Sequence, residues 1–183
     1  EASKGLPITS QPSPGEFAEV FRKYAAEGPI LMVHISSGLS NTYQSAHSGA
    51  DLVPEAEVHF IDTLTLSGAE GWQVEAAAHG AKAGWSIDQI KELVKKVREA
   101  SETIYTLPDL RYLIHGGRIS HMKGLLASVL GIKPLIGVSK TDGKYYERGK
   151  SPTFPRALES IAKTITKSRV PEAGILKGKF CYM

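Results

Sequence analysis

Apolar positions along this chain recur in two rhythms, and the rhythms alternate. Ser13-Pro14-Gly15-Glu16 is a capping box with proline at the first helical position. Phe17, Val20, Phe21 and Tyr24 then repeat at helical spacing until Gly28 ends the element. The unbroken run Ile30–Ile35 predicts a buried strand, followed by a hydroxyl-rich loop and a helix through about Ala50. Val58–Asp62 predicts a second buried strand, then a Thr63–Ser67 loop and an alanine-rich helix to about Ala83. Ser86-Ile87-Asp88-Gln89 is another capping box, with Ile90, Leu93, Val94 and Val97 as its buried stripe. Glu102–Leu107 predicts a third strand. Strands separated by helices of this length require crossover connections, which give an α/β fold: a parallel sheet with helices on both faces.

Beyond Pro108 the texture changes. A short apolar helix is expected around Leu125–Leu130, then a strand over Lys133–Val138. Thr141-Asp142-Gly143-Lys144 reads as a hairpin turn into Tyr145-Tyr146-Glu147, and Leu158, Ile161 and Ile165 mark a helix over about Pro155–Thr166. The expected organisation is therefore an α/β domain over residues 1–106 and a smaller α+β domain over 107–183. The chain opens without a first strand and closes without an obvious stop, which reads as part of a longer protein.

In open parallel sheets ligands bind beyond the carboxyl ends of the strands. The Ser36–Ser40, Asp62–Ser67 and Leu107-Pro108-Asp109 loops all fall at such ends. The first leads from hydroxyls and a glycine into helix-forming sequence, an arrangement expected to present unpaired amide N–H and side-chain O–H groups to an anionic oxygen. It lacks the lysine of a P-loop and the spacing of the dinucleotide fingerprint. Thr9-Ser10-Gln11-Pro12 can serve as simple turn and cap chemistry, since Ser and Thr satisfy neighbouring backbone groups. Arg118, set between a double glycine and Ile119-Ser120, offers a fork for a carboxylate or phosphate, with a surface ion pair as the plainer role.

Composition removes several classes. The 183 residues carry a net charge of +3, with 42% apolar and 22% charged residues, the profile of an ordinary globular protein. Lys91, Lys95, Lys96 and Arg98 are interleaved with Glu92 and Glu99 on one helix, which reads as a solvated face rather than a nucleic-acid surface. The single cysteine, Cys181, excludes an internal disulfide and suits a reducing compartment. No apolar run approaches the ~20 residues that cross a bilayer, and the opening residues lack a signal-peptide core, so the expected location is cytoplasmic. The six histidines show no metal-ligand spacing. There is no Gly-x-Ser-x-Gly elbow and no placed acidic pair, so neither a serine hydrolase nor a glycosidase is indicated.

Four segments in order, Thr9-Ser10-Gln11-Pro12-Ser13 with Glu16-Phe17, Ile35–Ala46, Gly116-Gly117-Arg118-Ile119-Ser120 and Ile132-Lys133-Pro134-Leu135, resemble the DegV family of bacterial fatty-acid-binding proteins across nearly the whole chain. The resemblance implies a two-domain fold enclosing a lipid tunnel. One long-chain fatty acid lies there, its carboxylate held by hydroxyls that correspond here to Thr9, Ser10, Ser37 and Ser40, with Arg118 near the head group. It implies no catalytic residue in the binding protein itself, and neither a metal nor a cofactor is expected. It also implies, for some members, presentation of the fatty acid to a separate ATP-dependent fatty acid kinase subunit that makes an acyl-phosphate for phospholipid synthesis. The family's Thr-Asp-Ser opening strand and its His-x-Gly-Pro-Gly segment have no counterpart in this sequence.

The chemistry suits such a ligand. Each buried methylene contributes about 0.8 kcal/mol, so the tail dominates affinity. A hydroxyl pairing with a charge adds ~1–3 kcal/mol and fixes where the carboxylate stops. The alternative from another class is a phosphosugar- or phosphate-binding α/β enzyme that uses the Ser36–Ser40 loop as a phosphate cradle, with Asp62 or His115 as its acid–base candidates.

Overall fold

The structure, a computed structural model, describes residues 9–119 and 131–167. The helix expected around Leu125–Leu130, Ser120 and everything from 168 onward lie outside the described residues.

The first helix, α1 (Pro14–Tyr24), starts as the capping box dictates: Glu16 N–H donates to Ser13 Oγ at 3.3 Å and Ser13 N–H donates to Glu16 Oε2 at 2.7 Å. A 3-10 turn (Ala25–Glu27) leads to β1 (Ile30–His34), α2 (Thr42–Asp51), β2 (Val58–Asp62), α3 (Ser67–Lys82) and α4 (Ile87–Ala100). β1 and β2 pair in parallel, from Ile30 opposite Val58 to His34 opposite Asp62. Partnered residues share a face, and the two faces take different helices. Leu31, Val33 and Ile61 pack with Ala77 of α3 and with Ile90 and Val94 of α4. On the reverse face Phe60 meets Phe21 of α1 at 6.4 Å and stacks on His47 of α2 at 3.7 Å between ring centroids. The parallel pair is thus covered on both sides, as the sequence predicts.

The remaining strands form a second, antiparallel sheet in the order β3 (Ile104–Tyr105), β4 (Lys133–Val138) and β5 (Tyr145–Ser151). Between β3 and β4 lies the short helix α5 (Arg111–His115), and α6 (Phe154–Lys167) packs against β4 and β5. The fold is mixed α/β.

One strand departs from the sequence-based expectation. Glu102–Leu107 shortens to two residues and leaves the parallel sheet: Ile104 pairs with Gly137 and Tyr105 with Ile136, both antiparallel. The physical reason is the apolar surface that Tyr105 completes. Its ring meets Tyr145 edge-on at 5.8 Å and joins the cluster of Ile136, Val138 and Tyr145.

Leu39, Leu66 and Leu107, one from each of the three loops expected on a common rim, enter that same cluster. The loops do converge, through leucines. Leu39 is thereby planted among Leu110, Ile119, Ile136, Val138 and Tyr145, so the loop after β1 is part of the core of the second sheet.

Candidate functional site

The loop after β1 turns on Ser36, which is fully buried. Its N–H donates to Thr65 O at 2.9 Å, and its own carbonyl accepts from Leu39 N at 3.0 Å and Ser40 N at 3.1 Å. Its hydroxyl donates to the Gly143 carbonyl at 2.8 Å and accepts from Gly38 N–H at 3.1 Å. Ser37 N–H donates to Asp62 Oδ1 at 3.2 Å. Every backbone amide from Ser36 to Ser40 is therefore engaged inside the protein.

This corrects the expectation of unpaired amides for Ser36–Ser40, while the start of α2 carries no side-chain cap at Asn41. A run of Ser, Gly and Asn can cradle an anion with its N–H groups only if those groups are not recruited by the side chains and carbonyls that the same sequence supplies. Here the recruitment is complete over those five residues. What the loop offers outward is side-chain oxygen. Ser37 is exposed. Ser40 Oγ accepts from Thr42 N–H at 3.2 Å and shares a 2.8 Å hydrogen bond with Thr42 Oγ1, which leaves the pair of hydroxyls a donor for a ligand.

Thr9 and Ser10 are also exposed, on the segment that enters α1. That segment is fastened to α2: Ser45 Oγ donates to Pro12 O at 2.6 Å. Ser45 lies one helical turn beyond Thr42, the partner of Ser40. The N-terminal half of α2 thus links the Thr9–Pro12 segment to the Ser37–Ser40 loop. A close approach between helices permits this. A Cβ on Gly49 would lie 2.6 Å from Phe17 Cβ and 2.8 Å from Pro14 O, so α1 and α2 touch backbone to backbone.

Arg118 stands exposed after the left-handed Gly117 (φ +75°), and its guanidinium donates to the Gly116 carbonyl. Its neighbour Ile119 is fully buried in the cluster that holds Leu39. The arginine is therefore attached to the same core as the loop, with no contact to the hydroxyls among the described residues.

Several residues take roles the sequence does not indicate. Arg98, read as part of a solvated helix face, instead donates through Nη1 to the Asp62 carbonyl at 3.2 Å. Asp62, an acid–base candidate in the enzyme alternative, accepts from both Ser37 N–H and Leu64 N–H through Oδ1. That is a loop-fastening role. Thr63 Oγ1 donates to His34 O at 2.9 Å, and Gln73, fully buried, donates to Thr63 O at 3.2 Å. Leu64 and Ser67 both take positive φ, 50° and 58°, so the loop that receives Ser36 N–H is itself held in a conformation L-residues seldom adopt. The sequence signal for this rim is the place of residues 62–67 at a strand's carboxyl end.

Beneath the loop, His34 is 2% exposed. Its Nδ1 donates to Ile35 O at 2.7 Å, its ring lies 4.7 Å from that of Tyr43, and Nε2 has no hydrogen-bond partner among the described residues. Burial holds its pKa below the ordinary histidine value, against the raising effect of the Ile35 hydrogen bond and the Asp62 charge.

Two cavities among the described residues lie elsewhere. One, of about 10 Å³, sits between the loop after β2, Arg98 and Lys140. A shallow one of about 440 Å³ lies along α4 beside Trp85 and Leu93. Neither touches Thr9, Ser37 or Ser40. Among the described residues no group of three or more His, Cys, Asp or Glu is placed to hold a metal ion, and no helix is long and apolar enough to cross a membrane.

Comparison with known proteins places this arrangement in context. A family model described as an uncharacterised protein of the DegV family matches residues 1–177. The DegV domain-containing protein YejH of Lactococcus lactis is 38% identical over 178 residues, which cover 95% of this chain and 64% of that protein. A DegV family protein from Thermus thermophilus, whose solved structure is described as fatty acid binding, superposes with a TM-score of 0.79 at 30% identity, covering 89% of this chain and 57% of the other. The fatty acid binding DegV family protein SAG1342 from Streptococcus agalactiae gives a TM-score of 0.81 at 29% identity, covering 91% and 59%. The chain thus spans somewhat under two thirds of the length of these relatives.

Proposed function

The chain belongs to the DegV family, and from that premise we propose that it binds a long-chain fatty acid with the carboxylate held by side-chain hydroxyls of Thr9, Ser10, Ser37 and Ser40. Arg118 supplies positive charge near the head group. The observation that carries this reading is the distribution of donors on the loop after β1. Its amides from Ser36 to Ser40 are all used internally, whereas Ser37 stands outward and the Ser40–Thr42 pair keeps a donor in reserve. Support also comes from the relatives described as fatty acid binding, which share the fold over some nine tenths of this chain.

The same observation weighs against a phosphate-cradling enzyme. A phosphate bound in the Ser36–Ser40 loop would draw chiefly on converging N–H groups, and those five are committed. A carboxylate, with one charge and two oxygens, is satisfied by a few hydroxyl donors. The hydrocarbon tail then supplies most of the affinity.

The protein acts as a carrier rather than a catalyst in this reading and needs no cofactor. Hydroxyl donors, unlike a cluster of lysines, leave the carboxylate comparatively nucleophilic. That suits presentation to a fatty acid kinase subunit, the partner this reading implies, in the cytoplasm. Displacement of a fluorescent fatty acid from the purified protein tests the binding step. Saturable displacement by an unlabelled C16 or C18 acid is expected, and the absence of any saturable site overturns the proposal.

A further inference from the structure

We infer that Ser36 is a positioning residue for the carboxylate site: its buried hydroxyl clasps the loop after β1 to the turn between β4 and β5, and this clasp sets where the hydroxyls of Ser37 and Ser40 stand. The inference rests on the fatty-acid reading above and deepens it.

The clasp is built from both sides. Ser36 Oγ reaches the Gly143 carbonyl at 2.8 Å while accepting from Gly38 N–H at 3.1 Å, so its donor and an acceptor site are both occupied. The hydroxyl is fully buried and cannot itself meet a ligand. Both flanking glycines are sterically required. A Cβ on Gly38 would lie 2.3 Å from Asp142 O, and a Cβ on Gly143 would lie 1.8 Å from Ser36 Oγ. The turn is in turn shaped by Ser139, whose carbonyl accepts from Gly143 N–H at 2.8 Å and whose hydroxyl accepts from Thr141 N–H at 3.2 Å.

From Ser36 the geometry passes directly to the ligand-facing groups. Ser37 follows it in the chain, and Ser40 is tied back to the Ser36 carbonyl at 3.1 Å. Leu39, between them, is sunk into the core of the second sheet. A loop held at Ser36 and at Leu39 has little freedom left at Ser37 and Ser40. Donors preorganised in this way favour a charged head group because no ordering is required when the ligand arrives. The second sheet therefore takes part in head-group recognition without contributing a donor.

The test compares a C18 fatty acid with its methyl ester, which carries the same tail and no charge, on wild type, Ser36→Ala and Ser139→Ala. The wild type is expected to prefer the acid. Ser36→Ala should lower that preference about tenfold while ester affinity stays within about twofold. Ser139→Ala, which loosens the turn from its far side without touching the loop, should lower it in the same direction by less. It decides the matter should Ser36→Ala fail to fold. An unchanged acid preference, or equal weakening of acid and ester, overturns the positioning role. A wild type with no saturable binding, or with no preference for the acid, overturns the fatty-acid reading instead.

Discussion

Ser36 and Gly143, separated by 107 positions in the chain, meet hydroxyl to carbonyl at 2.8 Å. Gly143 holds φ at +65°, and a Cβ there would fall 1.8 Å from Ser36 Oγ. Gly143→Ala is therefore expected to cost roughly 2–3 kcal/mol of stability, from overpacking and a strained φ together. Gly71→Ala is the control. That glycine lies exposed within α3 with nothing within 4 Å of a built Cβ, and alanine should stabilise by about 0.5–1 kcal/mol. Urea unfolding midpoints for the two variants should move in opposite directions.

His34 makes stability depend on pH. Its folded pKa is lowered because burial penalises the imidazolium, while Nδ1–H is committed to the Ile35 carbonyl. With a lowered folded value, the unfolded chain takes up the proton first. Stability is then undiminished above the unfolded histidine value of about 6.5 and declines as pH falls from there toward the folded value. His34→Phe keeps a ring against Tyr43 and should flatten this acid limb. Urea midpoints on either side of that value, for both proteins, check the difference in slope.

The cap of α1 fixes the segment that carries Thr9 and Ser10. Removing it with Ser13→Ala should cost about 1 kcal/mol. The Glu16 carboxyl, held below its ordinary pKa by the backbone and side-chain hydrogen bonds of Ser13, should return toward that value. An NMR titration of Glu16 in the variant reads the second effect directly. The folded value being lowered, this cap is complete above the unfolded value and weakens as pH falls through the folded one.

On the carrier reading proposed above, Ser37→Lys should separate binding from presentation. The Ser37 side chain is exposed and its N–H remains available to Asp62 after substitution, so the loop should keep its shape. An ammonium beside the carboxylate should maintain lipid affinity but draw electron density from the oxygen that attacks ATP. If the protein does present its fatty acid to a kinase subunit, acyl-phosphate formation is expected to fall with binding intact. Equal turnover would refute the idea.

The helices and the parallel strand pair were legible because their signals are local: capping boxes at Ser13 and Ser86, and apolar stripes with sharp ends. The fate of β3 was not legible. Two residues, Ile104 and Tyr105, carry no information about which sheet they will join, and that choice is made by Tyr145 and Ile136 far along the chain. The site divides the same way. Serines and threonines at a strand end announced a polar rim, but which oxygens face outward depends on tertiary partners. Ser36 and Ser37 are adjacent and chemically identical. One is sealed against Gly143 and the other is free to meet a ligand. Arg98 was misread because helical interleaving with glutamates marks a solvated face only where no loop crosses it, and here the strand carrying Asp62 ends beside it.

Organic extraction of the purified protein, followed by mass spectrometry of what is released, reaches the central claim with the fewest assumptions. A long-chain fatty acid at about one per chain is the expected result. A sugar phosphate in its place, or a protein that carries no acyl lipid and takes up none when one is supplied, would contradict it.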